Sequence, residues 1–416
     1  MILLNFIIEA ISSKPTFRLK YLIESKTHGM YVCIIFKKKS NMSVTIKELN
    51  FKQLDKFISF QWKIYADDPN WVPPLRIERK EFLDPGKNPV FGHLDIAFYM
   101  AFDEKGEEVG RIAAIVNKNH NTFHEDKVGF FGLFECIHDQ NTATALFDQA
   151  FQFLKNKGCD TMRGPVNLST NDDCGLLVEG LNEPAQIMMT YNPEYYIQLF
   201  EKYGFVKSKD LLAYKIDVPD TPPERLKRGA ELIQKRGGFT IRTINVKDFK
   251  NEVKRIKAIY NSAWERNWGF IPMTDAEFDH LGTQMKQILD PDFLFIAEHN
   301  GVPVGFSLTI PNINEALITI RDGKLLPFGL IKLLWHTRPG KLQSVRVITL
   351  GITPEHRNSG MDTIFYYRSF EAAIRKKIKW AEMSWILEDN IPMNRPLINM
   401  GAHVYKRYRI YDKKIA

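Results

Sequence analysis

The sequence predicts a mixed α/β fold, with α+β character in its sheets, laid out as two tandem halves. Three observations predict it. The chain has 416 residues, 44% hydrophobic and 25% charged, more than one typical core encloses. One order of elements (strand, helices, three strands, helix, strand, helix, strand) can be traced twice along it without obvious sequence repetition. Turn signals such as Asn300-Gly301 in AEHNGVPVGFSL fold adjacent strands antiparallel, which makes the sheets mixed rather than doubly wound.

Residues 1–41 stand apart. They are locally basic, ending in Lys37-Lys38-Lys39, and Met42 precedes the cleaner strand pattern SVTIKEL. Two readings are open: a poorly ordered extension ahead of a true translation start at Met42, or a short membrane-seeking arm. The opening MILLNFIIEAI has no basic stretch before its apolar core and no cleavage site, so it is not read as a signal peptide. In the first half, residues 42–220, strands are expected at VTIKEL, IAFYMAFD, GRIAAIVN, VGFFGLFEC, CDTMRGPV and LLAYKID, from alternation and β-branched runs. Helices are expected at 51–65, 143–157 and 194–203. VPDTPPERLKRG is a Pro-rich junction running into a helix. The second half, 221–416, opens with the strand FTIRTI and continues with helices at 251–266 and 275–289. Strands follow at 293–298, 304–309, 345–352 and 379–386. A long helix runs from Ser359 to about Lys377, with a short segment at 392–400 and a last strand at 404–411.

The net charge of +8 and pI near 9.0 favour an anionic partner. No zinc-finger, homeodomain-like or basic-zipper pattern occurs, which sets nucleic acid behind a polyphosphate cofactor or an acidic membrane surface. Cys33, Cys136, Cys159 and Cys174 form no CxxC pair, and reduced thiols in a cytoplasmic setting account for them. No apolar run reaches the roughly 20 residues of a membrane-spanning helix, which leaves a cytoplasmic protein with peripheral association on the inner membrane face as an option. The scattered histidines have no metal-ligand spacing.

The most informative stretch is VRVITLGITPEHRNSGMD, residues 345–362. A β-branched strand reaches a turn at Thr353-Pro354, then a polar corner, Arg357-Asn358-Ser359-Gly360, at the start of the long helix. Such a corner offers unpaired N–H groups and the positive end of the helix dipole to an anion, and Arg357 adds a charge-assisted partner.

This stretch resembles the GCN5-related N-acetyltransferase (GNAT) family, whose fourth strand leads into an Arg/Gln-x-x-Gly-x-Gly/Ala loop that grips the pyrophosphate of acyl-coenzyme A. The match here is Arg357, Asn358, Ser359, Gly360 and Met361, with Asp362 in the last position. That acid departs from the pattern, and as a helix cap it pushes the ligand higher in the loop. The first half resembles the same fold by its ending, NPEYYIQLFEKYGFVKSKDLLAYKID, but its corresponding corner, IHDQNTATALF, has neither glycine nor arginine. The resemblance therefore implies a degenerate first half that has lost cofactor binding and shapes the acceptor pocket. From about residue 44 onward DDPNWVPPL, FFGLFEC, RGPVNLSTNDDCGLL, MMTYNPEYY, AEMSWILEDN and YKRYRIY resemble a bacterial family of tandem acyltransferase-fold proteins. That family includes the bacterial ceramide synthases, which attach a long acyl chain from acyl-CoA to a sphingoid-base amine.

The resemblance implies acyl-CoA (or acetyl-CoA) as co-substrate, an amine acceptor and no metal. Acyl transfer to an amine needs an oriented thioester, a deprotonated amine and donors for the oxyanion. The backbone of Leu350, Gly351 and Ile352 is expected to pair with the pantetheine amides and to offer an N–H to the oxyanion, with Asn390 holding the arm. Glu382, Glu388 and Asp389 are the candidate bases, Asp389 also reading as a loop acid. Glu382 shares a strand face with Ser384 and Ile386, where a buried carboxyl is costly without a partner; Glu388 also reads as a loop acid capping the next helix. The family's helix tyrosine is replaced by Leu397, which leaves Tyr405 or Tyr408 as candidate acid, or as members of an ordinary half-exposed strand.

Asn167, Ser169, Thr170, Asn171, Asp172 and Asp173, in GPVNLSTNDDCG, are candidate head-group ligands, Asn167 and Asn171 foremost, though such residues also form plain turns. Leu330 and Trp335 belong to the apolar insertion DGKLLPFGLIKLLWHTRPGKLQ, residues 322–343, which reads as an acyl-chain cover, an interfacial helix-loop or a helix packed between domains. The leading expectation is N-acylation of a sphingoid-type base. Acetylation of a small amine or protein is one alternative, and a non-catalytic binding module of the same fold is another. The oligomeric state is not specified by these patterns.

Overall fold

The computed structural model describes residues 17–26, 29–38, 43–264 and 267–415, with backbone alone at 17–26, 29–38 and 236–237. The expectations for residues 1–41 therefore fall largely outside the described residues. Within that segment β1 (Phe17–Lys26) and β2 (Gly29–Lys38) pair antiparallel.

The first half contributes β3 (Thr45–Leu49), β4 (Leu94–Phe102), β5 (Glu108–Asn117), β6 (Val128–Cys136), β7 (Thr161–Gly164), β8 (Leu176–Glu179) and β9 (Val206–Asp217). The second contributes β10 (Phe239–Thr243), β11 (Leu294–His299), β12 (Val302–Pro311), β13 (Ser344–Ile352), β14 (Trp380–Leu387) and β15 (His403–Lys414). All of these join one sheet, ordered β10-β11-β12-β13-β14-β9-β15-β7-β6-β5-β4-β3, with β8 pairing β15 beside that path. Two pairings are parallel, β13 with β14 and β6 with β7; the others are antiparallel.

The halves exchange their last strands. β9, from the first half, pairs with β14, and β15, from the second, pairs with β7. The two exchanged strands pair with each other from His403↔Lys215 to Asp412↔Val206. Period-two alternation in β9 makes this workable. Leu211 and Ala213 pack with Tyr408 and Ile410 in a first-half core, while Leu212, Tyr214 and Ile216 pack with Met383, Ile386 and Leu397 on the other face.

The helices used below are α1 (Leu54–Ser59), α2 (Gln140–Asn156), α3 (Tyr195–Tyr203), α4 (Glu224–Gly237), α5 (Phe249–Trp264), α6 (Asp275–Met285), α7 (Gly329–His336), α8 (Met361–Arg375) and α9 (Ile391–Asn399). In the first half α2 and α3 close an aromatic core in which Phe134 stacks on Phe147 at 4.7 Å. In the second, α8 covers one sheet face through Phe365 and Ala372, and α5 covers the other through Ile259 against Ile296 and Phe306. The helix expected at 51–65 is instead divided, with α1 flanked by short turns at Phe51–Gln53 and Gln61–Ile64. Arg111 explains the break. Its buried guanidinium donates to Phe57 O at 2.5 Å, the carbonyl that Gln61 N–H would take in a continuous helix. The Asn300-Gly301 turn is as expected, with φ of 53° and 78° at the two residues. The helix expected at 251–266 is α5 as far as Trp264, with its last two positions outside the described residues. No helix among the described residues is long and apolar enough to cross a membrane. Cys136, Cys159 and Cys174 are free and buried; the side chain of Cys33 is outside the described residues.

Candidate active site

β13 and β14 run side by side only from Ser344↔Trp380 to Val347↔Met383. Each then bulges away from the other. On β13 the register against β12 passes from Thr309↔Val347 to Leu308↔Thr349, so Ile348 is an extra residue. On β14 the register against β9 passes from Met383↔Tyr214 to Ile386↔Leu212, which leaves Ser384 and Trp385 facing one position. Bulges sharpen the local twist and re-aim side chains. The result is an open wedge in the sheet, with the main-chain edge of β13 beyond Val347 left without a strand partner.

Cavities lie on both faces of this wedge. Beneath α5 and α6 is a cavity of about 260 Å³, apolar along Val253, Ile256, Met285, Leu294 and Phe306. Its other end is polar, formed by Asp172, Asp173, Arg346, Thr349, Ser384 and Trp385. Thr349 Oγ1, Thr170 Oγ1 and Trp385 Nε1 all line this space and are buried without a hydrogen-bond partner. Unpaired buried donors and acceptors are costly, so three of them converging on one cavity mark it as built for a polar ligand group. On the opposite face a cavity of about 60 Å³ runs between the sheet and α8, past Val347 and Leu350. Tyr366 Oη and Thr309 Oγ1 stand in it, also buried and unpartnered.

Arg346 organises the polar end. It donates from Nε to Ser384 Oγ at 2.9 Å and from Nη1 to Ile187 O and Met188 O at 2.8 and 2.9 Å. Ser384 Oγ in turn donates to Glu382 Oε1 at 2.5 Å, and Tyr405 donates to Glu382 Oε2. The Arg346–Glu382 separation is 3.6 Å, with both side chains buried. This is a paired ionic network that fixes the floor of the wedge. Burial, then the Glu382 charge, drives the Tyr405 phenol far above its ordinary value. Lys406 donates to Glu183 O and Pro184 O, both at 2.8 Å, and burial pushes its pKa down to about 8.

Asp172 and Asp173 come from the first half, yet they face this second-half cavity. Neither side chain has a hydrogen-bond partner among the described residues. Burial, then the charge of Asp173, raises the pKa of Asp172 well above the carboxylate range, against the pull of Arg79. Burial raises Asp173 as well, again opposed by Arg79. A carboxyl raised toward neutrality is the kind of group that accepts a proton from an ammonium.

The sequence-predicted residues are only partly gathered here. Asn171 lines the cavity, held by Tyr260 Oη at 3.3 Å and donating to Ile271 O at 3.2 Å. Glu382 and Tyr405 are joined one layer behind Ser384, engaged with each other rather than facing the cavity. Glu388 is drawn to the far end of β14 by Lys207 Nζ at 2.6 Å and Asp210 N at 3.1 Å. Asn390 caps α9 by accepting from Met393 N at 3.3 Å. Leu350 faces the α8-side cavity, Gly351 lies under Trp264, where a Cβ would come within 2.2 Å of the ring, and Ile352 is buried. Leu330 and Trp335 line neither cavity and stand exposed on α7.

At the corner Arg357 donates to Ala263 O at 2.8 Å, Asn358 is exposed, and Ser359 Oγ accepts from Met361 N at 3.3 Å. Gly360 adopts φ 79° beneath Ile233 of α4, and Met361 is buried. Asn358 N–H and Gly360 N–H find no acceptor among the described residues. Asp362 faces the N–H groups of Thr363 and of itself, and burial raises its carboxyl. The Thr363 N–H itself donates to Gly360 O at 2.9 Å, and an anion at this corner is left with the loop N–H groups and Arg357.

The first half has the same wedge, filled. β6 and β7 pair from Val128↔Thr161 to Phe130↔Arg163, and β6 bulges where Leu133 takes φ 50°. Val166 N then donates to Phe131 O at 2.8 Å, and Asn167 Oδ1 accepts from Leu133 N at 2.7 Å. Asn167 is therefore a plug in the first-half gap and does not reach the cavity. At the first-half corner Asp139 caps α2, accepting from Thr142 N at 2.8 Å.

Sequence reasoning misses Arg346 and reads Asp172 and Asp173 only as candidate head-group ligands, not as proton acceptors. Two signals pointed to them: a cation inside the β-branched run VRVIT, which must be partnered if buried, and the adjacent acids in STNDDCG. Among the described residues no cluster of His, Cys, Asp and Glu could hold a metal ion.

No family model matches the chain. It is 38% identical to "Protein YghO" of Escherichia coli (strain K12) over 372 residues, covering 88% of this chain and 94% of that protein. It is 33% identical to "Bacterial ceramide synthase" of Caulobacter vibrioides over 372 residues, covering 87% and 95%. Among solved structures, a tandem GNAT protein from the clavulanic acid biosynthesis pathway superposes with a TM-score of 0.54 at 11% identity, covering 90% of this chain and 99% of that one. At that identity the likeness is one of fold.

Proposed function

Since the chain belongs to the family of Protein YghO and the bacterial ceramide synthase, an N-acyltransferase family of tandem GNAT fold, we propose that it transfers a long acyl chain from acyl-coenzyme A to the amine of a sphingoid-type lipid base. One observation carries this reading. The wedge between β13 and β14 opens onto a largely apolar cavity whose polar end holds two raised carboxyls. An apolar lining that ends in carboxyls suits a molecule with a hydrocarbon tail and an ammonium head. Each methylene buried contributes about 0.8 kcal/mol, and the head meets Asp172, Asp173, Asn171 and the unpaired Thr349 and Trp385 groups.

The α8 side fits the thioester donor. Its arm would lie along the unpaired edge of β13, with the Tyr366 and Thr309 hydroxyls as hydrogen-bonding groups and Arg357, Asn358 and Gly360 at the diphosphate. Bound there, the thioester supplies the acyl group and a leaving thiolate, which needs little acid assistance because a free thiol has a pKa of roughly 8.5. Asp172 or Asp173, as carboxylate, takes a proton from the acceptor ammonium. The freed amine then forms the C–N bond as the C–S bond breaks, and its second proton passes to the departing thiolate, giving the amide and free thiol. Main-chain N–H groups at the β13 bulge would steady the carbonyl oxygen as it gains charge. Arg346 holds Ser384 and the floor of the wedge, and Glu382 and Tyr405 hold Arg346.

The test is direct. Purified protein given palmitoyl-CoA and dihydrosphingosine should release free thiol and form the amide, both followed by mass spectrometry. Turnover of acetyl-CoA with a short polyamine, and none with the long-chain pair, would remove the lipid substrate. Calorimetry showing no heat of binding for coenzyme A would favour the non-catalytic module.

A further inference from the structure

Residues 323–343, the latter part of the connection from β12 to β13, contain no Asp or Glu. Of the sixteen exposed large hydrophobic residues among the described residues, six lie here within residues 326–335. Leu326, Phe328, Ile331, Leu334 and Trp335 are 57% to 72% exposed, and Leu330 is 41% exposed. Single exposed hydrophobics need no explanation, but a cluster on one short helix and its approach loop does.

The cluster is held out deliberately. At its base Arg321 donates to Trp71 O and Asp68 O, both at 2.7 Å, and Trp62 Nε1 donates to Arg321 O at 2.8 Å. Arg76 donates from Nε to Asp322 O at 2.8 Å and from its backbone N–H to Gly323 O at 2.9 Å, while its guanidinium stacks on Trp62 at 3.7 Å. Gly329 fits so closely that a Cβ would come within 2.0 Å of Lys324 O. A loop that had merely failed to pack would not be clamped in this way.

Charge indicates what covers the patch. Lys324, Lys332, Arg338 and Lys341 surround it, all exposed, and Arg338 lies over the Trp335 ring at 3.4 Å. Apolar side chains ringed by cations and an amphipathic tryptophan match the interface of an anionic bilayer, where the hydrocarbon boundary takes the former and the headgroups the latter. We propose that α7 and its approach loop, residues 323–341, dock this protein onto an anionic lipid surface. This assignment stands apart from the acyltransferase reading, because it concerns a surface that lines neither cavity.

Flotation of the full-length protein with vesicles tests it. With equimolar phosphatidylglycerol and phosphatidylcholine the protein should float. With phosphatidylcholine alone, or in about 0.5 M salt where charges are screened within a few ångströms, binding should fall more than tenfold. The triple variant Phe328→Ser, Ile331→Ser, Leu334→Ser should lose at least tenfold in vesicle binding with an unchanged thermal melt, since these side chains are exposed. Lys324→Glu with Lys341→Glu should weaken binding by more than tenfold, each lost cation near an anionic surface being worth about fivefold. Wild-type protein that stays with the pellet, or a triple variant that floats equally well, overturns the proposal. So does a wild-type dimer in vesicle-free buffer that the triple variant dissociates, because that outcome assigns the patch to a second copy of the chain.

Discussion

Asp172 sits beside Asp173 at the end of an otherwise apolar cavity, where burial and the neighbouring charge raise its pKa. Below the unfolded value of about 3.9 both folded and unfolded chains hold its proton. As pH rises past that value the unfolded chain releases the proton first, so the folded state loses stability up to its own higher pKa. Asp172→Asn should therefore raise the melting temperature at pH 8, with the gain vanishing near pH 4, while lowering kcat on the order of a hundredfold. An unchanged kcat would move the base elsewhere. Wild-type kcat should rise with pH through the raised carboxyl pKa. Glu382 makes the opposite case, because it is the counter-charge for buried Arg346. Glu382→Ala leaves that guanidinium uncompensated and should cost about 3–5 kcal/mol in urea denaturation. Glu382 was legible from strand alternation, which puts it on an interior face beside Ser384. Asp172 and Arg346 were not legible as one site, because they are brought together across the whole central part of the chain.

The elements that make the site are two strands bulging apart and a corner at a helix start. The corner was legible, since Gly360 adopts the positive φ that glycine tolerates best. The bulges were not, because register depends on the neighbouring strand. Asp362 faces the helix N–H groups where it repels a second anion. Asp362→Asn removes that charge at nearly constant size and should tighten coenzyme A binding about two- to fivefold by calorimetry; weaker binding would show that the acid is needed. Asn167→Ala tests the filled wedge in the first half. It strips Leu133 N–H of its acceptor and should destabilise the fold by about 1–3 kcal/mol with KM for acyl-CoA unchanged. A changed KM would mean that the first half takes part in donor binding. The divided helix near residue 60 was hidden for a related reason, because a distant guanidinium takes its carbonyl.

At the scale of the molecule the exchanged strands join the halves into one sheet. A first half cut from the chain would carry β9 without β14 and β15, exposing long unpaired edges of the kind that aggregate. Residues 43–220 and 221–415 expressed separately should each fail to give a cooperative melt, whereas co-expression should recover a one-to-one complex. Two independently folded halves would contradict this. The exchange also explains how a half with a filled wedge still serves the site: its Pro165–Cys174 loop brings Asp172 and Asp173 to the second-half cavity.

By itself the sequence determined the mixed α/β class, the two-fold repetition of element order, the glycine corner after β13 and the unusually apolar composition of the insertion, while its exposure came from the structure. Each is a local property, set by periodicity, turn chemistry and composition within a few dozen residues. Only the tertiary structure decided that the last strands cross between halves, that one wedge is plugged by Asn167 while the other is open, and that the acids facing the cavity come from the first half. Those outcomes depend on register and on contacts between residues far apart in the chain. Residue pattern alone constrains them weakly, because the same strand can pair with any edge that offers it matching hydrogen bonds and a matching apolar face.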